Sequence, residues 1–187
     1  LKTLAESIML HSHMDKNVKN EILAQFNPLK LKNKELLVKS GEIAMSMIYI
    51  DSGYLRMFNT DRDGNEATVW IGSNGKFITA ISSFVFQKPS FWNIEAITDS
   101  QVHIIHRDKH FHLCKKYREW LDFENFLLSK TLAALEYRMF VQMNLSAQKR
   151  YDEFFKGNPS VFNQIPSKYI ASFLGMSPET LSRVRNK

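Results

Sequence analysis

The sequence predicts an α+β chain: a compact all-β sandwich or barrel, then a long helix, then a two-helix tail. Three observations carry this. Between Leu29 and about His106, β-rich runs alternate with turn pairs spaced roughly ten residues apart. Trp120 to Asn144 contains neither Gly nor Pro and repeats its leucines at helical spacing. The tail, "SKYIASFLGMSPETLSRVRNK", places a Gly between two short helical patterns and a Ser-Pro pair before the second.

The chain has 187 residues, enough for one large domain or a medium domain with a small one. An apolar fraction of 44%, with 14 Phe, supports a sizeable core. The net charge of +6 favours acidic partners such as nucleic acid. It is uneven: Ser146 to Lys187 holds seven Lys/Arg against three Asp/Glu, a net of +4. Cys114 is the only cysteine, which rules out an internal disulfide and a cysteine-ligated cluster within one chain and fits a reducing cytoplasm. No apolar run is long enough to span a membrane, so no membrane partner is expected. The sequence starts at Leu1 with no visible signal peptide.

Taken in order, Asp15 caps a first helix in which Val18, Ile22 and Phe26 form an apolar stripe, and Pro28 ends it. Turn pairs follow at Ser40-Gly41, Ser52-Gly53, Asp63-Gly64 and Asn74-Gly75. Met47 to Ile71 reads as two strands around Ser52-Gly53, then a hairpin on Asp63-Gly64. Ser90 to Asp108 gives two more strands. Between them, "GKFITAISSFVFQKPS" is neither good strand nor long helix and reads as a functional insertion.

From about Lys109 the chain is helical again. In the long helix, Leu128, Leu132, Leu135 and Met139 make one apolar strip, and Leu127, Thr131, Ala134 and Val141 make another. One side packs on the β unit; the other needs a partner. A twin helix in a second subunit supplies it, and a single buried helix in a monomer is the alternative. Asn144 to Ser146 marks a joint, dividing residues 1–144, with the dimerisation helix at about 120–144, from residues 145–187.

In the tail, Ser167 caps the first helix, with Ile170, Ala171 and Leu174 inward. Gly175 makes the tight turn. Ser177 caps the second helix and Pro178 takes its first position, where a missing N–H costs nothing. This is the helix-turn-helix pattern, whose second helix enters the DNA major groove. Glu179 then accepts from cytosine N4 and Arg183 forks onto guanine. Ser177, Thr180, Ser182, Arg185, Asn186 and Lys187 are left for phosphate, sugar or further bases. Alternatively, Glu179 and Arg183 pair with each other on a solvated helix.

"LGMSPETLSRVRNK" resembles the recognition-helix pattern of the Crp/Fnr family of bacterial transcription regulators, relatives of the catabolite activator protein. "SPETLSR" is most similar to short Bacteroidetes-type members. "SGEIAMSMIYIDSGYLRMF" and "TDRDGNEATVWIGSNGKFI" resemble the first strands, hairpin and ligand-cassette entry of that family's roll. The resemblance spans nearly the whole chain. It implies a cyclic-nucleotide-binding-type β-roll (a double-stranded jelly-roll) with flanking helices, a long dimerisation helix and a C-terminal helix-turn-helix. It also implies a cytoplasmic homodimer on a palindromic double-stranded DNA operator, working with RNA polymerase. Effector binding in the roll would shift the dimer helix and reorient the recognition helices.

The cassette departs from the family pattern. Members that bind cyclic AMP carry Gly-Glu and then Arg-Ser/Thr-Ala; an ungapped match places Thr79-Ala80 and Ser90-Phe91-Trp92 there. A cyclic phosphate without its Arg would be a buried unpaired charge, so cyclic AMP is not expected as a tight effector. The effector-pocket candidates are Phe77, Ala80, Ser82, Ser83, Ser90, Phe91 and Trp92, with Lys88 as a displaced phosphate clamp on a lesser reading. The cluster Phe84, Phe86, Phe91, Trp92 suits an apolar ligand or, as the favoured reading, a roll closed by its own side chains. His103, His106, His110, His112 and Cys114 lie close in sequence but straddle a strand-to-helix junction; they read as packing and surface residues, and no metal is assigned. The iron–sulfur cysteines of Fnr-like members are missing. Relatives often continue past the recognition helix into a β-wing, whereas this sequence ends at Lys187.

The carboxylates are scattered and no phosphate loop or metal-ligand motif appears, so no enzyme is expected. The alternatives are a constitutive DNA-binding protein with an effectorless roll, and a ligand-binding or interaction module without DNA binding.

Overall fold

The computed structural model describes residues 2–9, 14–157 and 159–186, with the backbone alone for residues 159 and 160. Among the described residues, two short helices, α1 (Leu4–Met9) and α2 (Lys16–Leu23), precede eight strands. Asp15 caps α2 as expected, accepting from the Asn17 N–H. The helix stops sooner than its apolar stripe suggests: Ala24 is its C-cap, and Phe26 packs inward from outside it. Pro28 already belongs to β1 (Asn27–Leu31).

The remaining strands are β2 (Leu36–Val38), β3 (Ser46–Ser52), β4 (Leu55–Thr60), β5 (Glu66–Gly72), β6 (Phe77–Ile78), β7 (Asn93–Ala96) and β8 (Ser100–His106). They form two four-stranded antiparallel sheets, ordered β1-β8-β3-β6 and β2-β7-β4-β5. The inner faces share one core, in which Ile48, Ile50, Leu55, Ile94 and Ile105 are at most 1% exposed. The turn spacing anticipates a compact all-β unit, and the two packed sheets form the β-roll that the family resemblance implies. Gly41, Gly53, Gly64 and Gly75 all adopt positive φ. At Gly53 the requirement is doubled, since a Cβ there would sit 2.2 Å from the Ser100 hydroxyl.

The segment between β6 and β7 holds a single short helix, α3 (Ile81–Phe86). It is pinned by Arg107, whose guanidinium donates to the Phe84 and Val85 carbonyls at 2.6 and 3.2 Å. After β8 come α4 (Arg107–Lys116) and α5 (Arg118–Asn144), separated only by Tyr117. The first turns of α5 close the roll: Trp120 and Phe123 are stacked at 5.2 Å and are 0% and 2% exposed.

The tail forms α6 (Ala147–Gly157), a 3-10 turn (Pro159–Asn163), α7 (Ser167–Phe173) and α8 (Pro178–Arg185). It builds a second core from Val161, Phe162, Ile165, Ile170, Ala171, Leu174, Leu181 and Val184. Tyr54 and Ile97 of the roll join that core, so the tail is packed against the roll. Ser167 is the first residue of α7 rather than its cap; Pro166 occupies the cap position without a side-chain bond.

Candidate nucleic-acid interface and ligand cleft

α8 is organised by its N-terminus. The Ser177 hydroxyl accepts from the Thr180 N–H at 3.2 Å, and Pro178 holds the first position. Leu181 and Val184 turn inward, 3% and 7% exposed. That leaves Glu179, Ser182, Arg183, Arg185 and Asn186 exposed, with Thr180 half-buried. Arg183 donates to the Thr180 hydroxyl at 3.5 Å instead of pairing with Glu179. Contact with the Ser177 hydroxyl holds the Glu179 carboxyl below its ordinary value, which keeps it an acceptor. Lys187 lies outside the described residues. Gly175 takes φ +64° in the turn before α8, and a Cβ there would strike the Gln142 side chain at 2.6 Å.

The helix-turn-helix is tied to the roll and to α5 by polar contacts. Ser172 on α7 donates to the Glu66 carbonyl at 2.9 Å and accepts from the Thr68 N–H at 2.8 Å, so it satisfies the open edge of β5. Arg56 on β4 is 1% exposed and sits between the rings of Phe58 and Tyr169, 3.7 and 3.8 Å from their centroids. It forms ion pairs with Glu95 and Glu66, both at 2.7 Å. From α5, Arg138 and Gln142 both donate to the Phe173 carbonyl, each at 3.1 Å. Arg150 on α6 donates to the Gly175 carbonyl at 3.2 Å.

Between the mouth of the roll and α5 lies a cleft of about 810 Å³. The roll contributes Met47, Met57, Trp70, Phe77 and Trp92, α3 contributes Ile81 and Ser82, and α5 contributes a wall from Leu127 to Met143. Of the pocket candidates, Phe77, Ser82 and Trp92 line it. Ala80 and Ser83 are buried beside it; the Ser83 hydroxyl is spent on the Ala44 N–H and the Lys88 carbonyl. Ser90 is buried, bonded to the backbone of Trp92. Phe91 is 65% exposed, edge-on to the Trp92 ring, and Lys88 is exposed too. The aromatic cluster therefore does not fill the roll. Phe84 goes into the core and Trp92 packs half-buried against it, while Phe86 and Phe91 face solvent.

The helix strip expected at a dimer seam, Leu128, Leu132, Leu135 and Met139, is 41–63% exposed and forms the outer rim of that cleft. Phe126, Tyr137, Phe140 and Met143 on the same helix are also exposed.

One cluster joins residues that are distant in the sequence pattern. His110 is 0% exposed, and its Nε2 lies 2.8 Å from Glu124 Oε1. The Cys114 thiol donates to Glu124 Oε2 at 3.3 Å. The bond from His110 holds the Glu124 carboxyl below its ordinary value, while burial and the Glu124 charge push the Cys114 thiol up. Three potential ligand atoms thus converge, from His110, Cys114 and Glu124. His103, His106 and His112 stay apart from them; His106 caps α4. Glu124, Arg56, Arg138 and Gln142 had no motif to announce them, because each acquires its role from a partner on another element.

The architecture is a β-roll joined through one long helix to a C-terminal pair of short helices set around a turn. Residues 28–117 match the cyclic nucleotide-binding domain family. Its structural neighbours include Crp/Fnr-family transcription regulators. FixK2 from Bradyrhizobium japonicum superposes with a TM-score of 0.75 at 16% identity, covering 86% of this chain and 83% of that one. CLP from Xanthomonas campestris, described as a c-di-GMP responsive global regulator, gives 0.73 at 16% identity over 92% and 90%. The catabolite activator protein of Thermus thermophilus gives 0.60 at 18% identity over 96% and 85%. At these identities the likeness is one of fold. A search of curated protein sequences returns no significant match. No described helix is long and apolar enough to cross a membrane.

Proposed function

We propose that this protein is a sequence-specific DNA-binding transcription regulator, acting as a homodimer on a roughly palindromic operator. The observation that carries the reading is the face of α8. Its apolar residues are committed to the tail's own core, and Glu179, Ser182, Arg183 and Arg185 are left together on the open side. That is the disposition a recognition helix needs to reach base edges and phosphates. The exposed apolar length of α5 supports the dimer, since an uncovered strip of this size favours a partner helix. Contact with RNA polymerase belongs to the same reading by family likeness. Residues 1–144 would be the sensor with its dimer helix and 145–187 the reader.

The cleft supports a sensor over an inert scaffold, because it is sizeable, largely apolar and open beside α5. It does not suit a cyclic phosphate: the segment aligned with the phosphate cassette presents Ser90, already bonded to Trp92, and an exposed Phe91. Cyclic AMP is therefore not the expected effector.

The test is selection of an operator from a palindrome library, followed by fluorescence anisotropy with Arg183→Ala. The variant should lose about 1–3 kcal/mol on the preferred site and relax preference at one base position. An equal loss on every sequence would make Arg183 a phosphate contact. No salt-dependent binding to any duplex would leave a ligand-binding module as the better reading.

A further inference from the structure

From the cleft and its polar end, we infer that the effector is an amphipathic monocarboxylate: its apolar body fills the space between roll and α5, and its carboxylate takes Arg138 away from the helix-turn-helix. This rests on the regulator reading and names the ligand class and the release device within it.

Among the residues lining the cleft, Arg138 alone is charged; the polar remainder comes to Thr79, Ser82, Thr131 and Gln142. Arg138 has no carboxylate partner among the described residues. Its guanidinium donates only to carbonyl oxygens, that of Phe173 at 3.1 Å and that of Thr68 at 3.4 Å, and lies 4.1 Å from the Phe173 ring centroid. Burial alone lowers its pKa to about 10, the mark of a cation short of an anion. Two neutral acceptors do not offset a desolvated guanidinium as a carboxylate does. A planar fork with a single amide neighbour suits a carboxylate better than a phosphate, which needs more donors.

The apolar half of the ligand follows from the wall. Met47, Met57, Phe77, Trp92 and Leu135 offer an oily surface with few groups to orient a polar ring system. The site also survives dimerisation. Leu132 and Met139, 60% and 63% exposed, form the rim a second copy's helix would cover. Arg138 is only part-exposed and lies inward of them, against Thr68 of the roll.

Arg138 is also part of a latch. Together with Gln142 it holds the last carbonyl of α7 while touching β5 of the roll. A carboxylate at the guanidinium competes with those carbonyls and wins on charge. The hold of α5 on α7 then falls to Gln142 alone, and the edge contact of Ser172 with Thr68 and Glu66 is next to open. The reading head is thereby loosened from the roll.

Two of the three tryptophans, Trp70 and Trp92, line the cleft, so intrinsic fluorescence reports occupancy. The full chain is titrated with decanoate and with decan-1-ol, which shares the tail and lacks the charge. Decanoate should bind at least tenfold tighter, and Arg138→Gln should erase that preference. Arg138→Lys, which keeps the charge, should retain part of it, and thermal melts check that both variants fold. Equal binding of the acid and the alcohol, decanoate binding unaffected by Arg138→Gln, or no saturable binding of either overturns the inference. Hydrogen exchange at the Thr68 amide should speed up at least tenfold with decanoate; unchanged exchange while decanoate is bound removes the latch. Anisotropy on the selected operator separates the two readings. An operator bound equally with and without decanoate sinks the inference and leaves the regulator standing. Arg138-dependent decanoate binding in a protein that binds no duplex supports the ligand site and sinks the regulator.

Discussion

The two halves of α5 have similar apolar sequences and opposite fates. In the first, Trp120 and Phe123 are sealed between Phe26, Phe77 and His110 and scarcely see solvent. In the second, Leu132, Met139, Phe140 and Met143 are each more than half exposed. One stretch of helix serves as the lid of the roll, and its continuation serves as a surface. Apolar residues on a helix therefore specify only that something must cover them; whether that is the same chain, a ligand or a second copy depends on what lies opposite.

The sharpest way to break this contrast is Trp120→Ala. The stacked ring of Phe123 and the edge contacts of Phe26 and His110 would face a void, at a cost of about 3–5 kcal/mol in chemical denaturation. A loss below about 1 kcal/mol would mean that the first half is no more committed to the core than the second.

A smaller effect should come from acid. Glu124 on the first half has its carboxyl held down by His110, below an ordinary value of 4.5. A group depressed in the folded state adds stability above its unfolded pKa and loses it as pH falls through the folded one. Stability from this contact should therefore be flat between pH 7 and 5 and decline below about 4.5. Glu124→Gln should be less stable at pH 7 and flatter on acidification, by denaturant midpoints measured along a pH series. Equal acid slopes in the two proteins would remove Glu124 from the account.

The smallest effect on folding should come from Leu135→Asp in the second half. Amide protection around Trp120 should change by less than about 0.5 kcal/mol, as for a surface position. Sedimentation should nonetheless shift toward monomer. A dimer that persists with full strength would move the seam to the Phe126, Tyr137, Phe140 side of the helix.

Much of the architecture could be read beforehand because it is written in local chemistry. The four turn glycines sit at positive φ, where a side chain is strained. Ser177 and Pro178 start α8 because one supplies an acceptor and the other lacks a donor that is not needed. The departures from the sequence pattern also have local causes. A periodic stripe through Phe26 was compatible with a longer α2, but the next residues pair with β8, and strand pairing prevailed over helical periodicity. Four aromatics near the cassette looked sufficient to fill the roll, yet alternation and a six-residue helix send Phe86 and Phe91 outward.

Turns, caps, the long helix and the two-helix tail follow from residues a few positions apart, where backbone sterics and hydrogen-bond geometry leave little choice. The seating of the tail on the roll does not. Thr68 meets Ser172 across 104 positions, Arg138 reaches Thr68 across 70, and Arg56 slides between Phe58 and Tyr169 only once two separate cores have come together. Contacts at that range carry no periodicity or spacing of their own. The packing of the whole chain decides that Arg138 lines an oily cleft, that Glu124 meets His110, and that half of one helix keeps its apolar residues exposed.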